Sequence, residues 1–467
     1  MIERTIGQIS GMIEARNDLS AYADVPIKGA SIDSRKIIPG NLFVPLKGDK
    51  TDGHQFVEKA FEQGAAASLW QEDVPHPPEG KPMIIVKDVL KALQELARAY
   101  RNELTAKVVG ITGSNGKTTT KDLAASMMGE TCRVQKTAGN LNNHIGLPLT
   151  ILSLKEDTEI AILEMGMSGK GEISLLTHIA KPDVAIITNI GEAHLLDLGS
   201  REAIADAKFE ITEGLKEGGL FIYPGNEPLL VQRASRLKQV RLKTFGETPD
   251  NDLYPLHIHL EEKGSTFAVS GYPDEPLFLP VAGKHNIMNA LAAIHAAKEF
   301  SVPFSDIKEG LKSVKLSTMR MEWRKGPKGS TVLNDAYNSS PTALRAVIKF
   351  IESMDERREK ILVLGDMLEL GEDEKKFHRE IGEEINPEKI EYVYTYGRLG
   401  KSIAKGAEEN FPEGRVFSFQ DQEELIAALL EKITGKEIIA VKASRGMKME
   451  KVVEALTVEG DEQPKTK

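Results

Sequence analysis

Short apolar runs alternate with amphipathic stretches along almost the whole chain. The apolar runs are bounded by loop-forming residues, as is typical of buried strands, and they lie at 41–46, Met83–Val86, Lys107–Thr112, 160–163, 184–188, Thr331–Asn334, 361–364, Tyr392–Tyr396 and 438–441. Stretches with helical spacing lie between them, at 56–63, 90–103, 117 onward, 283–300 and 341–354. This alternation predicts an α/β fold with parallel sheets and crossover helices.

Three segments depart from the alternation. Residues 253–279 alternate polar and apolar side chains around Gly264 and Gly271, which predicts antiparallel hairpins. Residues 75–82 contain four prolines and a glycine, which predicts an irregular loop. The polar tail from Gly460 onward is predicted to be disordered.

The chain of 467 residues is too long for one compact core, and the pattern divides it into three blocks. A first block at 1–103 mixes short strands with helices. A second block at 104–315 opens with the strand Lys107–Thr112, and a third at 316–467 repeats the strand–helix alternation. We therefore expect three domains with these bounds.

Composition narrows the class of protein. Hydrophobic residues make up 40% and charged residues 28%, which is ordinary for a soluble globular protein. A net charge of −10 argues against nucleic acid as the main partner. The single cysteine, Cys132, excludes an internal disulfide, and neither a signal peptide nor a membrane-spanning apolar run is found. We expect a cytoplasmic enzyme without stable membrane insertion, and a monomer, because no long heptad pattern indicates a coiled coil.

The strongest chemical signal is a glycine-rich turn between a predicted strand and a predicted helix. Such a turn points several backbone N–H groups at one phosphate, and the positive end of the helix adds to them. Lys117 is placed to reach the β- and γ-phosphates, and the Thr118 hydroxyl to bind Mg²⁺. The usual spacing wants glycine at position 111, where Ile111 stands, so the loop is a variant. The residues expected at the nucleotide are Gly113, Ser114, Asn115, Gly116, Lys117, Thr118 and Thr119.

Polar residues follow the next two predicted strands. Glu164 and His194 both lie where ligands gather in an open parallel sheet, at the carboxyl ends of strands. Mg²⁺ prefers oxygen ligands, so the glutamate suits it better than the histidine, which could equally be structural. Considered one by one, Lys208, Arg320 and Asp335 and the pair Asn286 and Asn289 are unspecific.

Taken together, these motifs resemble the Mur ligase family, and the resemblance covers nearly the whole chain. The matching segments stand in family order at 113–120, Glu164-Met165-Gly166, 189–194, Ala207-Lys208, 285–290 and Met319-Arg320. Two segments of the last block, at 334–338 and 364–371, resemble the member that attaches D-alanyl-D-alanine. The Asp-Asn-Pro-Arg motif that is usual in the ligase for the third amino acid is absent from the sequence.

The resemblance implies a small N-terminal α/β domain that binds the UDP substrate, a central P-loop ATPase domain with a parallel sheet, and a C-terminal Rossmann-like domain. It implies an ATP-dependent ligase that joins D-alanyl-D-alanine to UDP-N-acetylmuramoyl-tripeptide in peptidoglycan synthesis, through an acyl phosphate, with ADP and phosphate as products. ATP and two Mg²⁺ ions are the implied cofactors.

The resemblance also assigns roles to individual residues. Lys117, His194 and Lys208 are the implied catalytic residues, and Lys208 is expected to be carbamylated. Thr118, Glu164, His194 and Lys208 are implied at the metal ions, and Asn289, Arg320 and Asp335 at the nucleotide. The implied contacts of the UDP substrate are Ser34, Arg35, Thr51, Asp52 and His54, with Asn142 and Asn143 near its acyl end and the phosphates.

Three alternatives stay open. A sibling amide ligase, for the third amino acid or for folate polyglutamate, is disfavoured by the missing motif and by the long first block. A P-loop kinase or ATPase leaves Lys208 and the whole third block without a role. A nucleotide-binding scaffold without activity does not need the intact set of Lys117, Thr118, Glu164 and Lys208.

Overall fold

The structure is a computed structural model that describes residues 1–261, 264–354 and 358–458. The predicted tail from Gly460 onward lies outside these residues. No helix in the described ranges is both long and apolar enough to cross a membrane.

The N-terminal part is built on a parallel sheet covered by short helices. The strands follow each other in the sheet in chain order: Ala30–Ser31, Leu42–Phe43, Ala67–Gln71 and Met83–Val86. An antiparallel pair, Glu3–Thr5 with Pro26–Lys28, stands beside it. The helices are Ile6–Met12, Val57–Glu62 and Val89–Glu103. The strand predicted at 41–46 is reduced to two residues, and the irregular loop at 75–82 is confirmed.

The central part carries a parallel sheet in the order Arg241–Phe245, Leu220–Pro224, Val184–Ile187, Lys107–Thr112, Ile160–Glu164 and Val134–Lys136. The chain turns to opposite sides of Lys107–Thr112, so the crevice that binds ligands in such sheets opens at the end of this strand. The helices are Lys117–Gly129, Gly146–Ser153, Glu172–Ala180, Leu195–Leu198, Arg201–Phe209, Pro228–Ala234, Lys284–Glu299 and Phe304–Lys312. The hairpins predicted at 253–279 are confirmed as the antiparallel strands Pro255–Glu261, Gly264–Val269 and Tyr272–Leu279.

The C-terminal part is built on a mixed six-stranded sheet, in the order Glu322–Lys325, Thr331–Asn334, Ile438–Lys442, Lys360–Gly365, Tyr392–Tyr396 and Val416–Phe419. Only the first pair of these strands is antiparallel. Its helices are Pro341–Glu352, Glu374–Glu384, Gly400–Ala407, Gln422–Lys432 and Glu450–Ala455. Helix Pro341–Glu352 starts with the predicted proline, and the Ser340 side chain caps its first turn.

Candidate functional site

The glycine-rich loop connects strand Lys107–Thr112 to helix Lys117–Gly129, as predicted. Gly113 and Gly116 have φ values of 149° and 82°, which favour glycine. A Cβ at Gly113 would overlap the Thr188 hydroxyl, and one at Gly116 would overlap the Asn289 amide. The loop therefore depends on glycine at both positions. Ile111, which stands where the usual spacing wants glycine, is a buried residue of the strand.

The loop is braced by the segment that follows the next strand of the sheet. Asn115 N–H donates to Asn189 Oδ1 at 3.0 Å, and Gly191 N–H donates to the Ser114 hydroxyl at 2.9 Å. These bonds fix the shape of the loop. They also bring the glycine-rich loop and the segment at 189–191 together, although the two are far apart in the sequence.

The Lys117 side chain folds back onto the glycine-rich loop that precedes it. Its Nζ donates to the Gly113 carbonyl at 2.6 Å and lies 3.5 Å from the Ser114 carbonyl. Burial lowers the pKa of Lys117, the Glu164 charge opposes this shift, and Arg320 adds to it. An ammonium held against the backbone of a phosphate loop is positioned to pair with a bound phosphate.

Glu164 lies at the centre of the charged groups beside the loop. Its Oε2 accepts a hydrogen bond from the Thr118 hydroxyl at 2.8 Å, and its Oε1 accepts one from Asn142 Nδ2 at 2.8 Å. Lys121 Nζ lies 3.8 Å from Oε2. The carboxylate is buried, and its charge is balanced by these neighbours.

The structure brings two of the predicted metal ligands together, Thr118 and Glu164. In the part of the chain that the structure describes, no group of three or more His, Cys, Asp and Glu side chains is close enough to bind one metal ion. Mg²⁺ usually keeps several waters and takes one or two carboxylates together with phosphate oxygens. An oxygen pair beside a phosphate loop therefore fits a magnesium–nucleotide complex and does not fit a metal site made of protein ligands alone.

His194 lines the same cavity and has a left-handed backbone, with φ of 66°. Burial lowers the pKa of His194 to about 4, and the nearby charge of Lys117 adds to this shift. The ring is therefore neutral at physiological pH, and a neutral imidazole is the form that binds metal ions.

Lys208 is buried inside the domain, with 1% of its surface exposed. Within the described ranges its ammonium has no hydrogen bond and no ion pair. Burial, together with the nearby charge of Lys117, lowers its pKa well below the usual range of a lysine. The environment therefore favours the neutral amine.

The remaining predicted nucleotide contacts come from a helix of the central part and from the C-terminal part. Asn289 is buried against the loop, and its Nδ2 lies 3.4 Å from Asn286 Oδ1. The Arg320 guanidinium stacks 4.2 Å above the Tyr337 ring, and its buried Nε has no hydrogen bond in the described structure. Asp335 accepts hydrogen bonds from Lys442 Nζ at 2.5 Å and from the Met321 N–H at 3.0 Å.

These side chains surround a cavity of about 540 Å³ between the central and C-terminal parts. Its walls are joined by hydrogen bonds from Asn115 Nδ2 to the Ser340 hydroxyl at 3.1 Å and from the Thr342 hydroxyl to Glu192 at 2.5 Å. Sequence reasoning missed Tyr337 and Lys442, which also line the cavity. Tyr337 stands inside a motif that the resemblance rests on, whereas Lys442 ends an apolar strand and carries no signal of its own.

The residues of the N-terminal part that are predicted to contact the UDP substrate do not line this cavity. Arg35 is exposed and binds Asp33 through two hydrogen bonds of 2.9 Å, and this pairing lowers the pKa of Asp33 to about 2. His54 is buried, and its two ring nitrogens contact Asp52 Oδ1 at 2.6 Å and the Gln71 N–H at 3.2 Å.

The other predicted substrate contacts differ in setting. Ser34 is buried, whereas Thr51 is exposed. Asn142 and Asn143 do line the cavity, and the Asn143 side chain also accepts the Gly146 N–H at 2.8 Å, which starts helix Gly146–Ser153.

The sequence matches three domain families in chain order. Residues 26–101 match the Mur ligase family catalytic domain, residues 111–297 the Mur ligase middle domain, and residues 319–445 the Mur ligase glutamate ligase domain. The UDP-N-acetylmuramoyl-tripeptide–D-alanyl-D-alanine ligase of Bacillus subtilis (strain 168) is 49% identical over 456 residues, which cover 98% of this chain and 99% of the relative. Its counterpart in Escherichia coli (strain K12) is 33% identical over 469 residues, which cover 98% and 100%.

Solved structures agree with these sequence relatives. A crystal structure of MurF from Acinetobacter baumannii has a TM-score of 0.87 and 28% identity, over 98% of this chain and 99% of that one. MurF ligase from Thermotoga maritima in complex with ADP has a TM-score of 0.81 and 28% identity, over 92% and 97%. The predicted three-domain α/β architecture is thereby confirmed.

Proposed function

The chain belongs to the Mur ligase family, and we propose how its residues divide the work of an ATP-dependent ligase that joins D-alanyl-D-alanine to UDP-N-acetylmuramoyl-tripeptide. The reaction is supported by similarity over the full length to UDP-N-acetylmuramoyl-tripeptide–D-alanyl-D-alanine ligases. One observation supports the location of the site. The phosphate loop, Glu164 and the Arg320 segment of the C-terminal domain surround one cavity. We propose the domain bounds 1–103, 104–315 and 316–467.

The chemistry explains why ATP is needed. A carboxylate does not condense with an amine in water, because its oxygen is a poor leaving group. Transfer of the γ-phosphoryl group to the tripeptide carboxylate forms an acyl phosphate and releases ADP. The amine of D-alanyl-D-alanine then attacks the acyl carbon, an amide bond forms, and phosphate leaves. Because two anionic groups must meet, cations are required, and Lys117 and Arg320 supply them.

We assign the nucleotide to the loop 113–119, with Asn289, Arg320 and Asp335 as further contacts. Arg320 stacks on Tyr337, and Asp335 is held by Lys442, so both are positioned by neighbours in the C-terminal domain. The nucleotide contacts are divided between two domains. The two domains must therefore close on the nucleotide before the reaction can take place.

Thr118, Glu164 and His194 are the residues that would hold Mg²⁺, together with phosphate oxygens. When bound, magnesium neutralises charge on the phosphates during transfer. The 2.8 Å contact between Thr118 and Glu164 and the neutral ring of His194 support this assignment.

Lys208 is proposed to carry a carbamate that serves a second Mg²⁺. A neutral amine attacks CO₂, an N–C bond forms, and one proton is lost, which leaves a carboxylate-like anion in place of the cation. The lowered pKa of the buried Lys208 supports this, because only the neutral amine reacts. An unmodified ammonium would repel the metal.

The N-terminal domain is proposed to bind the UDP group through Ser34, Arg35, Thr51, Asp52 and His54, with Asn142 and Asn143 nearer the acyl end. His54 acts there by shaping the loop, since both its ring nitrogens already contact the protein. ATP and UDP-linked precursors are cytoplasmic compounds, so we propose cytoplasmic action. We also propose a monomer, because one chain contributes every residue of the site.

Phosphate release tests the reaction, with each of the three substrates omitted in turn. We expect release only when ATP, UDP-N-acetylmuramoyl-tripeptide and D-alanyl-D-alanine are all present. Single D- or L-amino acids in place of the dipeptide separate this enzyme from a sibling ligase. Release with ATP alone, at the rate of the complete mixture, would contradict the ligase and favour a simple ATPase.

A further inference from the structure

Two left-handed residues meet across the boundary between the central and C-terminal domains. His194 follows strand Val184–Ile187, and Glu369 follows strand Lys360–Gly365. His194 Nδ1 lies 2.9 Å from Glu369 Oε2, although the two groups are not aligned as a hydrogen bond. The Leu196 N–H donates to the Glu369 carbonyl at 3.0 Å, so the backbones are joined at the same place.

Both residues hold a backbone conformation that non-glycine residues rarely adopt. The φ values are 66° for His194 and 65° for Glu369, and both lie in the left-handed region, which is strained for a residue with a side chain. Such strain persists where surrounding contacts enforce it. Gly371 packs against Leu196, where a Cβ would lie 3.5 Å from the Leu196 Cα, so the two loops are closely fitted.

The contact occupies one specific nitrogen of the imidazole. A histidine that binds a metal through one ring nitrogen usually donates its other N–H to a carboxylate or carbonyl, which orients the ring and sets the tautomer. Nδ1 faces Glu369 and is buried, so Nε2 is the nitrogen left for a metal ion. Within the described part of the chain, neither side chain has any other hydrogen bond or ion pair.

We propose that Glu369 is a positioning residue for His194, which holds the Nδ1 proton and presents Nε2 to the metal ion bound with the nucleotide. The inference rests on the proposed role of His194 as a metal ligand. Glu369 belongs to the C-terminal domain, so it reaches the histidine only while that domain is docked on the central one. Metal affinity and domain docking are therefore coupled, and each must strengthen the other by the same factor.

Calorimetric titration with ADP tests the proposal, once in EDTA and once with saturating Mn²⁺. The ratio of the two affinities measures the contribution of the metal and does not depend on turnover. We expect Glu369→Gln to lower this ratio about 10-fold, as loss of a partner behind a ligand does. Glu372→Gln, an exposed carboxylate in the same loop, should leave it unchanged. ADP binding in EDTA verifies that each variant is folded.

A double-mutant comparison separates positioning from a general loss of structure. In a His194→Ala background, Glu369→Gln should cause no further fall of the ratio, because there is no ring left to orient. If Glu369→Gln lowers the affinity ratio by the same factor in the His194→Ala background as in the parent, the proposal is overturned. It is also overturned if His194→Ala lowers the affinity ratio but Glu369→Gln leaves it at the parental value. A parental ratio in His194→Ala itself overturns the metal assignment and this inference with it.

Hydrogen exchange at the Leu196 amide tests the coupling from the other side. This N–H is bonded to the Glu369 carbonyl only in the docked arrangement. Adding Mn²⁺ and ADP together should slow its exchange more than ADP alone, and this difference should shrink in Glu369→Gln. Equal protection with and without Mn²⁺ in the parent enzyme contradicts the coupling.

Discussion

Asp122 on the phosphate-loop helix accepts two hydrogen bonds from Ser317, from its N–H at 2.9 Å and from its hydroxyl at 2.7 Å. The other oxygen of the buried carboxylate accepts Lys136 Nζ at 2.7 Å. Ser317 opens the segment that leads to Arg320. The helix that begins with Lys117 therefore also fixes the start of the connection to the C-terminal domain.

Ser317→Ala should loosen this connection without disturbing the loop. Losing a hydrogen bond to a buried carboxylate costs about 1–2 kcal/mol, so the melting temperature should fall slightly. We expect kcat to fall several-fold, because Arg320 is less well placed, while KM for the UDP substrate stays the same. Steady-state kinetics measure both, with Ser313→Ala as the control, an exposed serine nearby. Unchanged kcat in a measurably destabilised variant would argue against a role in positioning Arg320.

Lys117→Ala should remove the cation of the phosphate loop and leave the fold intact. Among the described residues, the Lys117 ammonium hydrogen-bonds only to carbonyls of its own loop, so the circular dichroism spectrum and the melting curve should stay close to those of the parent. Turnover should fall by about 10²–10³-fold, the typical loss for a charge that stabilises a transition state. Lys170→Ala, at an exposed loop position, serves as the control. Near-parental turnover in a folded Lys117→Ala enzyme would contradict the assignment of this loop to the nucleotide phosphates.

The carbamate hypothesis predicts that the two replacements of Lys208 fail for different reasons. Lys208→Ala loses the anion, so it should be nearly inactive, and excess formate or acetate should restore part of the rate. Lys208→Arg keeps a positive charge, so it should stay inactive with either acid. Methylamine, a small cation, is the matched control and should rescue neither variant. Parental activity of Lys208→Arg would mean that no carbamate is required.

The division of substrates between domains can be tested at Arg35. Its guanidinium is exposed and oriented by Asp33, which suits recognition of a phosphate. Arg35→Ala should raise KM for the UDP substrate about 10-fold, the size of one charge-assisted contact, and leave KM for ATP unchanged. Lys36→Ala is the control, since it removes the neighbouring exposed charge. A parallel rise of both KM values would speak against a separate UDP-binding domain.

Buried histidines predict that stability falls as the pH is lowered. Burial lowers the pKa of His295 to about 4, although the hydrogen bond from its Nε2 to the Thr244 carbonyl opposes this shift. Burial likewise lowers the pKa values of His194 and His285 to about 4. The unfolded chain binds these protons near pH 6.5 and the folded chain does not, so stability present at pH 7 is lost between pH 6.5 and 4.

The contribution of His295 to this loss is about 2 kcal/mol between pH 7 and 5. Between pH 7 and 5, the melting temperature of His295→Gln should therefore fall by less than that of the parent. This holds whatever the melting temperature of the variant is at pH 7. His259→Gln, at an exposed strand position, should behave like the parent. Scanning calorimetry at both pH values measures the difference, and an identical pH response of His295→Gln would refute the assignment.

Local patterns were sufficient for much of the fold. Strands Lys107–Thr112, Thr331–Asn334 and Tyr392–Tyr396 lie at the predicted residues, because a buried strand is a continuous apolar run that neighbouring residues delimit. Strand Arg241–Phe245 was missed. It lies at an edge of its sheet with its first three residues exposed, so it has no apolar run to recognise.

By itself, the sequence determined the phosphate loop, the order of the three domains and the family, because each of these is encoded by residues adjacent in the chain. Only the tertiary structure decided the state of the site: that Lys208 is buried with no charged partner among the described residues, that Lys442 holds Asp335, and that Glu369 meets His194. Burial and pairing depend on which segments pack together. A lysine on a helix has the same local pattern whether it faces water or the interior, and only packing separates the two environments.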